Sequence, residues 1–140
     1  MTGRILAVDY GSKRVGIALS DPLKLFAKPY TVLENTGQEA ILQCLKDIIA
    51  KQGVEYLVLG MPYAIDGSHS PKTTETEAFG DFLKESLDIP VIEWDERYSS
   101  AEAEAELKKM GKSWQEARKL VDAMAAAMIL KSYLENNVHA

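Results

Sequence analysis

Apolar residues along this chain switch between two periods. Ile5–Asp9 and Arg14–Ser20 are short apolar runs joined by a turn at Gly11, a spacing that predicts an antiparallel hairpin. "KPYTVLE" predicts a third strand. "NTGQEAILQCLKDIIAKQG" changes to helical spacing, with Thr36 and Glu39 in a capping-box pattern and Gly53 at the close. "VEYLVLG" is nearly continuous in apolar residues, the mark of a buried parallel strand. Met61–Lys72 is rich in Gly, Pro and Ser and predicts a loop long enough to act as a lid. Phe79, Phe82, Leu83 and Leu87 then mark one face of a helix over Thr74–Leu87. "IPVIEWDER" predicts the next strand. One helix is expected from Ser99 to Gly111, and Ser113 with Glu116 opens a last one to about Glu135.

The order β-β-β-α-β-α-β-α-α fits a three-layer α/β domain with a mixed central sheet, a starting hairpin and right-handed crossovers. With 140 residues and no repeat or linker, the expectation is one domain over 1–140. No apolar run is long enough to span a membrane, and "MTGRILAVDYGS" moves into a strand pattern without a signal peptide's cleavage region. The one cysteine, Cys44, excludes an intrachain disulfide; near Ile41, Leu45 and Ile48 it reads as core. A soluble, cytoplasmic protein is the expectation. The formal net charge of −5 argues mildly against a nucleic-acid partner. Net charge describes the whole surface, however, and cations bound to clustered carboxylates reverse the sign locally.

Three places carry candidate chemistry. Asp9 ends an apolar strand, where ligands of α/β sheets collect; it is either a site carboxylate or a turn-former before Tyr10 and Gly11. Asp95 and Glu96 end another apolar run. Adjacent strand residues point to opposite faces, so one of the two suits a site shared with Asp9 unless the strand ends between them. The alternative is a charged strand–helix junction. Asp122 stands within "KLVDAMAAAMIL", where aspartate is a poor helix former. It is either a surface partner of Arg118 or Lys119, or a site acid on a helix whose alanines let it lie close to the sheet.

Together these acids suit a hard divalent cation such as magnesium, which takes oxygen ligands. Two such ions, about 4 Å apart, are the arrangement used in phosphodiester hydrolysis. Lys13, Arg14, Lys72, Arg97, Arg118 and Lys119 are the candidate phosphate contacts. His69 and His139 are isolated, and the chain has neither a Walker loop, a GxGxxG fingerprint nor a nucleophile elbow.

"DYGSKRVGIALSD" (Asp9–Asp21), "GMP" (Gly60–Pro62) with Asp66–Gly67, "DERYSSAEAE" (Asp95–Glu104) and "DAMAAAMIL" (Asp122–Leu130) closely resemble the motifs of the YqgF family. Members of that family are described as nucleases of pre-16S ribosomal RNA, and earlier as Holliday junction resolvases. The resemblance covers nearly the whole chain in order. It implies an RNase H-like fold and a magnesium or manganese site with Asp9 as first acid, Glu96 or Asp95 as second and Asp122 as third. Related resolvases take the second acid from a different strand, and Leu57–Gly60 offers none here. Tyr98 and Ser99 stand where the family more often has leucine or phenylalanine and threonine.

The implied activity is cleavage of structured RNA, with pre-16S rRNA in a pre-30S particle favoured as substrate. Branched DNA is the alternative, as is a non-catalytic role in RNA binding and ribosome assembly. No dimer interface is legible, so the expectation is a monomer or weak dimer. The opening hairpin also looks like that of actin-like sugar kinases, which require two lobes.

Overall fold

The computed structural model describes residues 3–63, 66–96 and 114–137, the last segment with side chains from 121 to 136. Strands β1 (Arg4–Tyr10), β2 (Arg14–Ser20) and β3 (Ala27–Glu34) come first. Helix α1 (Gln38–Gln52), strand β4 (Val54–Met61), helix α2 (Pro71–Ser86) and strand β5 (Val91–Asp95) follow. Helix α3 (Trp114–Asn137) is last. The five strands form one sheet in the order β3-β2-β1-β4-β5. β1 and β2 pair antiparallel, as do β2 and β3, whereas β1–β4 and β4–β5 are parallel. The mixed sheet and starting hairpin agree with the sequence pattern. The helix expected over Ser99–Gly111 and the cap at Ser113 lie outside the described residues.

Strand alternation divides the core between two faces. Leu6, Val8, Val15, Ile17, Leu57, Leu59 and Met61 meet Ile41 and Leu45 of α1 and Phe79 and Leu83 of α2. Ile5, Ala7, Ala18 and Val58 turn the other way, toward Ala126, Ala127, Ile129 and Leu130 of α3. The alanine stripe has the expected use: Ala123, Ala126 and Ala127 are fully buried, and α3 lies on β1, β2 and β3. It comes so close that a Cβ on Gly16 would fall on the Asp122 carbonyl oxygen.

Local details differ from the sequence pattern in three places. Thr36 does not cap α1, whose N-cap is Gly37, without a side-chain hydrogen bond. Asn35 orders this entry instead: its Oδ1 accepts from the Gly37 N–H at 3.1 Å while its Nδ2 donates to the Gly11 carbonyl at 2.8 Å. Cys44 is exposed, because the buried stripe of α1 centres on Ile41 and Leu45 and leaves position 44 at its edge. The 61–72 segment is a shorter loop than expected, since Met61 belongs to β4, and Pro71 and Lys72 already belong to α2. Ser70 caps that helix in a box with Thr73, and the buried Thr73 hydroxyl donates to the Pro62 carbonyl at 2.6 Å. The start of α2 is thereby tied to the end of β4.

Gly16→Ala tests the close approach. The opposing atom is backbone and has no rotamer to escape into, so the expected cost is about 1–3 kcal/mol. It would be read as a lower midpoint in urea unfolding; an unchanged midpoint would mean that α3 is free to shift.

Candidate active site

The same alternation that builds the core sorts the acids. Asp9 follows Ile5 and Ala7 on the α3 face, and Tyr10 points the other way to stack on Phe79, ring centroids 4.0 Å apart. On β5, Ile92 and Trp94 face α3, and Trp94 Nε1 donates to the Ser132 hydroxyl at 3.2 Å. Glu93 faces α2, where its Oε1 accepts from Lys84 Nζ at 2.6 Å. Asp95 therefore falls on the α2 face by parity. Glu96, immediately past the strand end, returns to the face of Asp9.

Asp9 and Glu96 meet over Gly60 of the strand between them. The ladder pairs Val8 with Leu59 and Gly60 with Trp94, so Gly60 lies between the strands that carry the two acids. A Cβ on Gly60 would sit 2.7 Å from Glu96 Oε1 and 2.5 Å from Ile129 Cδ1. On its other side Asp9 pairs with Gly16. Two glycines thus flank the first acid, one admitting Glu96 and the other admitting the backbone of α3 at Asp122. They are the signal that sequence reasoning missed: a glycine inside each of two otherwise apolar strands marks a close approach.

The meeting has an electrostatic consequence. Burial, then the charge of Asp9 and a hydrogen bond to it, push the Glu96 carboxyl up to about 7. Burial also raises Asp9; the hydrogen bond from Glu96 and the Lys72 charge act against the rise, and Asp122 adds to it. Like charges held close do not both ionise readily, so Glu96 keeps its proton and donates it to the Asp9 carboxylate. Lys72 stands in the first turn of α2, the wrong end of the helix dipole for a cation, and the two acids it faces offset that placement.

Asp122 is half-buried near Asp9, with its Oδ2 accepting from Arg14 Nε at 2.7 Å. One partner is thus Arg14 on β2; the side chains of Arg118 and Lys119 lie outside the described residues, as does Arg97. Lys13, Arg14 and Lys72 line a cavity of about 460 Å³ together with Tyr10, Glu75 and Asp122. Glu75 carried no sequence signal for this position. Asp21, the last acid of the first motif, serves the fold instead, since its carboxylate accepts from the N–H groups of Leu23, Leu25 and Phe26.

Among the described residues no three His, Cys, Asp or Glu side chains form a ready metal-holding group: two acids are joined, and the third is engaged by Arg14. The donor chemistry nevertheless fits a hard divalent cation. All candidate ligands are carboxylate oxygens, and two of them are brought together over Gly60.

A mixed sheet in this order, with acids at two strand ends facing a C-terminal helix, defines an RNase H-like α/β nuclease-type domain. Residues 3–136 match the sequence pattern of the family described as "RuvX: Holliday junction resolvase", and the chain belongs to that family, the YqgF family of the motifs above. A protein of Halothermothrix orenii named "Putative pre-16S rRNA nuclease" is 41% identical over 138 residues, 97% of this chain and 99% of that one. A relative of the same name in Maridesulfovibrio salexigens is 39% identical over 131 residues, 94% of this chain and 97% of that one. Among solved structures, Thermus thermophilus RuvC in complex with a Holliday junction substrate superposes with a TM-score of 0.62 at 14% identity, covering 96% of each chain. The fowlpox virus resolvase bound to Holliday junction DNA gives 0.59 at 14% identity, covering 95% of this chain and 97% of that one. At such identities these two likenesses establish the fold.

The shared proton predicts a pH dependence in the metal-free protein. Between the ordinary Glu value of 4.5 and about 7, the folded state holds a proton that the unfolded chain has released. The stabilising contribution is therefore complete below 4.5 and is lost as the pH rises through 7. We expect a loss on the order of 2 kcal/mol between about pH 5 and pH 8, from urea midpoints in the presence of chelator. Glu96→Gln keeps a donor toward Asp9 without the charge and should remove most of this slope. A flat wild-type profile would contradict the shared proton.

Proposed function

We propose that this chain is a metal-dependent endonuclease that hydrolyses phosphodiesters in structured RNA and acts in 5′-end maturation of pre-16S rRNA. The meeting of Asp9 and Glu96 across Gly60 carries the reading, since it places two acids where a single divalent cation can replace one proton. The names of the relatives at 41% and 39% identity support RNA as substrate. The cytoplasm and an assembling pre-30S particle follow from that substrate. None of the described helices is long and apolar enough to cross a membrane.

Asp9, Glu96 and Asp122 would hold the cations, magnesium or manganese and as a pair in the full site, with Asp95 kept to the opposite face by strand parity. Bound there, the ions supply charge neutralisation and activation of water for attack on phosphorus. The chain's residues do the rest. Glu96 gives up its proton and, with Asp9, presents anionic oxygens; neither attacks covalently. Lys13, Arg14 and Lys72 take phosphates of the strand in the adjoining cavity, with Arg97, Arg118 and Lys119 as further contacts. The products are a 3′-hydroxyl and a 5′-phosphate.

The family description favours a second reading, resolution of branched DNA, with the same acids in the same roles. Labelled precursor 16S RNA and a labelled four-way DNA junction, each with magnesium, manganese or chelator, separate the two. We expect metal-dependent cutting of the RNA, reduced on the order of 10²–10³-fold in Asp9→Asn. Cutting of the junction alone would establish the resolvase reading. RNA binding without any cutting would leave a role in ribosome assembly.

A further inference from the structure

Arg14 and Asp122 each have two competing uses. The guanidinium that should read a phosphate is bonded to the carboxylate that should hold a cation, Nε to Oδ2 at 2.7 Å. Holding the fold together does not account for the pair. The helix is already seated at that point by the contact of the Asp122 backbone with Gly16 and by the buried Ala123 and Ala126. The Arg14 side chain is 58% exposed, against 29% for Asp122, and lies on the wall of the cavity with Lys13 and Lys72. The turn before it is fixed from the end of β3, where the Asn35 N–H donates to the Lys13 carbonyl at 2.9 Å and its side chain donates to Gly11. A fixed base with a movable head is the arrangement of a side chain that changes partners.

We propose that Arg14 is a positioning residue acting through Asp122, a latch that couples the phosphate of the nucleic acid to the cation. In the free protein Arg14 occupies the Asp122 carboxylate. A backbone phosphate entering the cavity accepts from two guanidinium nitrogens of Arg14 in place of the single bond through Nε, and Arg14 leaves Asp122. Asp122 is then released to the cation. Cation and nucleic acid therefore strengthen each other's binding, by equal factors. The consequence is a site fully assembled only on substrate, which keeps the free protein from binding its full complement of metal. This inference rests on the nuclease reading above.

The test reads metal affinity rather than turnover. Manganese alone is titrated by calorimetry into the full chain as wild type, Arg14→Gln and Arg14→Lys, and into Asp122→Asn with and without Arg14→Gln. Losing an exposed ion partner should tighten manganese binding roughly two- to fivefold in Arg14→Gln, with Arg14→Lys between it and wild type. In the Asp122→Asn background, Arg14→Gln should change nothing. Anisotropy of a labelled RNA stem in calcium against chelator completes the cycle: the gain from calcium in wild type should shrink in Arg14→Gln. Equal or weaker manganese binding in Arg14→Gln would overturn the latch and leave the nuclease reading standing. No manganese binding by any of these proteins would overturn both.

Discussion

A carboxylate taken out of water costs several kcal/mol unless a counter-charge or a proton compensates it, and this fold sets two such groups against each other. Asp9, within β1, and Glu96, immediately past the end of β5, are both held half-buried. The metal-free protein meets the cost with one proton shared between them and the nearby charge of Lys72. Much else in the structure serves this arrangement. Thr73 ties the first turn of α2, and with it Lys72, to the end of β4. Gly60 leaves the space in which the acids meet.

The two faces of the sheet are built differently for the same reason. Toward α1 and α2 the core is made of large side chains, Phe79, Leu83, Leu45 and Met61 among them. Toward α3, small residues dominate near the acids: Ala7, Ala18, Gly16 and Gly60 against Ala123, Ala126 and Ala127. Further along α3 the packing turns aromatic, with Tyr133 edge-on to both Tyr56 and Trp94. The aromatic end anchors the helix, and the small-residue end lets Asp122 come close to the first acid. The aromatic packing and the acids occupy opposite ends of one interface.

Much of this was legible in the order of residues. A strand declares itself by alternation, and a helix by its stripe, because both depend on neighbours within a few positions. All five strands and the helices α1, α2 and α3 fall near where the apolar pattern puts them. Asp9 at the end of "ILAV" and the alanines around Asp122 pointed to a site before any geometry. Errors arose where a side chain had a choice of partners: Thr36 lost the cap of α1 to the neighbouring glycine, and Ser70 with Thr73 began α2 earlier than its apolar face suggested. Cys44 lay one position from the centre of a stripe, close enough to mislead.

By itself, then, the sequence determined the elements, the alternation of faces and the supply of acids, since these are properties of local spacing. Only the tertiary structure decided which acids meet. Asp95 and Glu96 are equivalent in the sequence; the register of β5 on β4 and the end of the strand at Asp95 put Glu96 on the face of Asp9. Arg14 and Asp122 are 108 positions apart, and no periodicity joins them. Their contact exists because β2 lies beside β1 and because a missing side chain at Gly16 lets a helix from the far end of the chain rest there. Convergence of distant residues depends on strand order and on close approach, and those are set by the packing of the whole domain.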